Sequence, residues 1–137
     1  MLPKIIKGDI ASDNRGSISF VNDFKFENIK RFYVVENSED NPIRAWHGHK
    51  KDIKHFYCVK GSFLVSYVKI DDWENPSKNL VVHHTTLDDK ESKILVIPAG
   101  YANSIKAIEP GSKLISFSIL DMDEASDDSV RYPADTW

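Results

Sequence analysis

The apolar residues of this chain come in short, evenly separated runs, a pattern that suits many brief strands and little helix. Runs rich in Val, Ile, Phe, Tyr and Thr predict strands at Ser17–Val21, Arg31–Glu36, Lys54–Lys60, Phe63–Ile70, Leu80–Thr86, Lys93–Ile97 and Lys113–Leu120. Turn-formers stand between them, as in Asp13-Asn14-Arg15-Gly16, Lys60-Gly61-Ser62, Pro98-Ala99-Gly100 and Glu109-Pro110-Gly111-Ser112. Phe63–Ile70 alternates with period 2, setting Leu64 and Ser66 against Val65 and Tyr67. The acidic stretch Asp121–Asp128 reads as a solvated loop. Many short strands with regular turns form a sandwich or a closed barrel. A barrel has an interior, and polar residues on its inward faces are where function is to be sought.

A chain of 137 residues fits one domain, here 1–137. The net charge of −3 gives no reason to expect nucleic acid, and an anionic ligand would need a local cluster of Arg and Lys. Cys58 is the only cysteine, which fits a reducing cytoplasm. No apolar stretch approaches the roughly 20 residues of a membrane span, and the N-terminal segment lacks the apolar core of a signal peptide.

One segment carries chemistry. Arg44-Ala45-Trp46-His47-Gly48-His49-Lys50 is followed by Lys54 and Gly61, giving His-x-His, then a basic residue, then a turn glycine. With Pro98-Ala99-Gly100-Tyr101-Ala102-Asn103, this resembles the two cupin motifs, and the resemblance implies an all-β cupin (jelly-roll) barrel. In metal cupins a Glu and a later His complete a site of three His and one carboxylate. Here Lys54 and Asn103 stand at those places. A protonated Lys repels a divalent cation and an amide is a poor ligand, so no metal or other cofactor is expected.

A narrower resemblance follows from Arg44-x-x-His47, Lys54, Ile97-Pro98-Ala99-Gly100-Tyr101-Ala102, Asp13-x-Arg15-Gly16 and the loop Asp72–Ser77. These look like the dTDP-4-dehydrorhamnose 3,5-epimerase family. Ile29-Lys30-Arg31-Phe32-Tyr33 with His47-x-His49-Lys50-Lys51 is also close to the sugar-nucleotide 3,4-ketoisomerases. Both groups act on nucleotide-linked 4-keto-6-deoxy sugars. The resemblance implies His47 as base, Lys54 as the cation that steadies the enolate, Asp135 as the orienter of His47, and Arg15, Arg44 and Arg31 as holders of the diphosphate. Asn103 replaces a substrate-facing His of the family turn. Neutral His suits the base because its pKa lies near neutrality, and a fixed cation stabilises an oxyanion in a dry pocket.

The epimerases use a Tyr on the strand after the Pro-x-Gly turn as acid, whereas this chain has Ser116-Phe117-Ser118-Ile119-Leu120. The leading expectation is an epimerase of a nucleotide-linked 4-keto-6-deoxy sugar, and the alternatives are a 3,4-ketoisomerase using His47 and His49 together and a non-catalytic sugar-binding cupin. Tyr33, Tyr57 and Tyr101 are the alternatives for the missing acid. His55, His83 and His84 read as structural or surface residues, Trp46, Phe56 and Tyr101 as core, and Cys58 as a small buried hydrophobe. Related cupins pair by exchanging strands, so a homodimer is expected, with Arg15 reaching the partner's pocket.

Overall fold

The computed structural model describes residues 1–137 and contains twelve strands and one short helix. In chain order these are β1 (Lys4–Lys7), β2 (Asp9–Asp13), β3 (Gly16–Phe20), β4 (Arg31–Val35), β5 (Ile43–His49), β6 (Lys54–Lys60) and β7 (Ser62–Lys69). They continue as β8 (His83–Asp88), β9 (Lys93–Ile97), β10 (Tyr101–Ala107), β11 (Lys113–Ser118), α1 (Met122–Asp128) and β12 (Ser129–Arg131). One five-stranded antiparallel sheet has the order β1-β9-β6-β11-β4, and a second has β12-β5-β10-β7-β8. Strands β2 and β3 form a separate hairpin. The two sheets face each other as the walls of a cupin barrel, the all-β class expected from the motifs.

Register explains where the core sits. On the first sheet, Val35, Leu114 and Cys58 lie in one cross-strand row, Tyr33, Ser116 and Phe56 in the next, and Arg31, Ser118 and Lys54 in the third. The inward face therefore changes from apolar to polar within three rows. Val35, Cys58 and Leu114 join Phe63, Val65, Leu87 and Ile105 in one buried cluster. Each such large side chain contributes about 1.5–3 kcal/mol on burial, so this end does most to hold the sheets together. Phe56 and Tyr101 are in the same cluster. Gly61 bridges β6 and β7 with φ +74°, and a Cβ there would overlap the Ser112 hydroxyl.

A second cluster covers the outside of the other sheet. Trp46, Val68, Ile70 and Ala102 pack beneath Trp73, Leu80, Val82, Tyr132 and Trp137. The C-terminal tail is tied down there, with Trp137 Nε1 donating to the Ser77 carbonyl at 2.9 Å and the Tyr132 hydroxyl donating to the Trp73 carbonyl at 2.8 Å.

Several elements differ from the sequence expectation. Asp121–Asp128 is not a loop. Met122–Asp128 is helical, started by a reciprocal cap in which Asp121 accepts from the Glu124 N–H and Glu124 accepts from the Asp121 N–H. The run Leu80–Thr86 contributes its first residues to the outer apolar layer, and the strand begins only at His83. Strands β1, β2, β5, β10 and β12 lie outside the predicted runs.

Candidate active site

The polar end of the barrel opens into a cavity of about 790 Å³, lined by Arg31, Tyr33, His47, His49, Lys54 and Arg131 together with Met122, Ala125, Ser126 and Ser129. Strand β5 brings the two histidines, alternating onto the inner face. Strand β4 brings Arg31 and Tyr33, β6 begins with Lys54, and α1 with β12 closes the side wall. Strand β12 pairs with β5 so that Arg131 lies opposite His47 and Ser129 opposite His49.

Arg44 reaches the same side as His47 through a backbone irregularity. On β10, Asn103 pairs with His47 and Ile105 with Arg44, two residues against three. The extra residue on β5 is a bulge, and it turns Arg44 toward the face shared by His47. The Arg44 Nε donates to Asn37 Oδ1 at 2.8 Å, which holds the guanidinium outside the cavity lining.

Lys54 is 3% exposed, a depth at which a lysine needs partners. Its ammonium donates to Ser118 Oγ at 2.7 Å and stands 3.1 Å from Asp52 Oδ2. The Asp52 oxygen makes no directed hydrogen bond, so the pair is held by charge. Lys54 Nζ also lies 5.1 Å from the centre of the Tyr33 ring, and Arg31 lies 5.1 Å from the same ring. The Arg31 Nε is buried with no hydrogen-bond partner, and neither Arg31 nor Arg131 forms an ion pair with a carboxylate of the chain.

These surroundings keep both histidines neutral. Burial pushes the His47 pKa below the ordinary value, and the charges of Arg131, Arg44 and Lys54 add to the effect. His49 is pushed down to about 4, by burial first and by Lys54 next, against the opposing pull of Asp52 and Asp128. A neutral His47 facing a cavity with a fixed cation can take a proton from carbon beside a ketone. The same set does not suit a divalent cation, because Lys54 occupies the carboxylate place and its ammonium is retained there by Asp52.

The sequence-derived candidates divide clearly. His47, His49, Lys54 and Arg31 converge on the cavity. Asn103 is buried beside His47 on the neighbouring strand. Arg15 does not converge: it sits at the tip of the β2–β3 hairpin, exposed and paired with Asp13 at 2.6 Å. Asp135 does not converge either: the anchoring of Trp137 carries the tail over the outer face of the sheet and leaves Asp135 exposed. Among the three alternative tyrosines, Tyr57 shares a hydrogen bond with Ser92 at 3.0 Å, Tyr101 is in the core, and Tyr33 lines the cavity. His55 lies on the outside against Phe24, and His84 pairs with Ser66 at 2.7 Å. Sequence reasoning missed Arg131, whose place depends on a three-residue edge strand that no local pattern announces.

Residues 1–132 match the family described as FdtA: WxcM-like, C-terminal. The chain belongs to this family. Among solved structures, this FdtA/WxcM-like chain is similar to a doubly substituted QdtA 3,4-ketoisomerase from Thermoanaerobacterium thermosaccharolyticum in complex with TDP. The identity is 25%, the TM-score 0.72, and the match covers 95% of this chain and 87% of that one. It shares its fold with the Mycobacterium tuberculosis RmlC epimerase, at 16% identity, TM-score 0.73 and coverage of 94% and 68%. It also shares it with ChmJ, a 3'-monoepimerase from Streptomyces bikiniensis in complex with dTDP-quinovose, at 15% identity, TM-score 0.76 and coverage of 94% and 68%. No curated protein sequence matches the chain. The FdtA/WxcM-like barrel is thus the fold of both sugar-nucleotide ketoisomerases and epimerases.

Proposed function

We propose that the chain is a metal-independent sugar-nucleotide 3,4-ketoisomerase acting on a nucleotide-linked 4-keto-6-deoxy sugar. The observation that carries this reading is the meeting of His47, His49 and Tyr33 in one cavity, with serines at 116 and 118 where an epimerase has its Tyr. His47 takes the proton from C3, the Lys54 ammonium faces the charge that develops on the oxygen at C4, and an enediol forms across C3 and C4. Tyr33 gives its phenolic proton to the oxygen at C4 and recovers one from the hydroxyl at C3, while Arg31 and Lys54 flank the transient phenolate. The imidazolium of His47 exchanges its proton with solvent in the open cavity and delivers one to C4, so the ketone has moved by one carbon and no atom is gained or lost. Arg31 and Arg131, free of carboxylate partners, take the diphosphate.

The protein works as a homodimer in this reading, in a reducing, cytoplasmic setting that suits the free Cys58 thiol. An isolated two-stranded ribbon is marginal in water, and β2–β3 leaves Ile18 70% exposed. A second copy would cover it and bring Arg15 to the neighbouring cavity. A monomeric mass at micromolar concentration would remove this part of the proposal.

The test is incubation with TDP-4-keto-6-deoxyglucose in deuterium oxide, followed by proton NMR. A 3-keto product carrying deuterium at C4 is expected. Deuterium at C3 or C5 with the 4-ketone retained would make the protein an epimerase. Binding with neither product nor exchange would make it a sugar-binding module.

A further inference from the structure

Two carboxylates are buried in this chain, and the chemistry above uses neither. Asp52 is 1% exposed and Asp128 is 5% exposed. Asp128 is the last residue of α1, where a negative charge opposes the helix dipole. Its carboxylate takes the backbone N–H groups of Lys51 and Asp52, one on each oxygen, both at 2.9 Å. It thereby grips the turn between His49 and Lys54, while the backbone that follows it runs into β12 and sets Arg131 opposite His47. Asp52 Oδ1 accepts the Ile119 N–H at 3.0 Å, leaving Oδ2 to face the Lys54 ammonium at 3.1 Å. Burying a charge is costly, and burying one at the wrong end of a helix costs more, so the arrangement is explained by what it holds.

We propose that Asp52 and Asp128 are positioning residues, Asp52 fixing the Lys54 ammonium at the cavity wall and Asp128 fixing the turn that carries both. This rests on the ketoisomerase reading of Lys54. An ammonium has three N–H bonds. Ser118 takes one of them, and the Asp52 charge holds the group in place without a directed hydrogen bond, so N–H bonds are left for the oxygen of the substrate. The pair of carboxylates thus converts a flexible lysine into a directed donor.

The first readout needs no turnover. In ¹H–¹⁵N spectra of the wild-type protein, the Lys54 ammonium gives a sharp cross-peak, assigned by its loss in Lys54→Met. Asp52→Asn broadens it beyond detection, and Asp128→Asn weakens it. No such peak in the wild type, or one unchanged in Asp52→Asn, overturns the proposal. The second readout is a double-mutant cycle. Asp52→Asn lowers kcat by about 10²-fold with KM unchanged in the wild-type background, the loss expected when a catalytic group is misplaced. It lowers kcat no further in the Lys54→Met background. An equal loss in both backgrounds means that Asp52 serves folding alone, and the proposal falls. If Asp52→Asn does not fold, the cross-peak of Asp128→Asn decides. If the wild type turns over no sugar nucleotide, the ketoisomerase reading fails while the cross-peak still tests the positioning.

Discussion

The two ends of the barrel interior are built from the same strands and do opposite work. Along β6, Cys58 and Phe56 belong to the apolar cluster, and Lys54 belongs to the cavity. Along β4, Val35 is core, while Tyr33 and Arg31 face the cavity. Two residues along a strand separate a position that stabilises from one that reacts. The apolar end gains free energy from every side chain it buries. The polar end carries Lys54, Asp52 and an unpartnered Arg31 Nε, which cost free energy unless a ligand or a neighbour offsets them. Stability and chemistry are thus separated along the strand axis, and substitutions at either end should move one without the other.

The largest effect is expected from His47→Asn, which should lower turnover and deuterium exchange by about 10²–10⁴-fold, as for loss of a general base, with the urea midpoint nearly unchanged. A large loss of stability would break the separation. Next comes Leu114→Ala at the other end, expected to cost about 2–5 kcal/mol in urea denaturation while leaving kcat intact. A fall in kcat measured on folded protein would show that the two ends are mechanically linked. Arg131→Gln should raise KM for the sugar nucleotide by about tenfold, the equivalent of about 1.4 kcal/mol of lost binding, with kcat little changed.

The pH dependence gives smaller effects. His47 must be neutral to act, and its lowered pKa keeps it neutral below the ordinary 6.5, so the acid limb of kcat/KM should lie below that value. Arg131→Gln removes one of the charges that depress His47 and should move the limb upward. His49 titrates near 6.5 when unfolded and about 4 when folded. Its neutral burial therefore supports the fold above pH 6.5 and is lost as the pH falls toward 4. Measuring urea midpoints across that window should show a shallower decline for His49→Asn.

The apolar end was the more legible in the sequence. Alternation in Phe63–Ile70 and the glycine and proline turns announced the barrel, because core residues must alternate on a sheet with one buried face. The polar end hides its strands: β10 places Asn103 at an inward position, Ser104 and Lys106 break the apolar run further, and β12 is three residues long. Motif spacing recovered His47, His49 and Lys54. It could not place Arg131 or Asp128, which β12 and α1 bring to the side wall, or Asp52, whose carboxylate meets Lys54 and the Ile119 N–H across the fold. Asp135 shows the converse, a sequence position near the end of the chain that the packing of Trp137 on Trp46 draws outside.

The bulge opposite Asn103 and Ile105 has a consequence for how the inside of the barrel is encoded. Counting back from His47 in twos would send Arg44 outward, and the bulge resets the count. In the language of periodic signals it is a half-period phase slip. The face on which Arg44 leaves the strand is therefore written partly in the spacing of residues along β5, and a variant of identical composition with a regular strand would place Arg44 on the opposite face of the sheet.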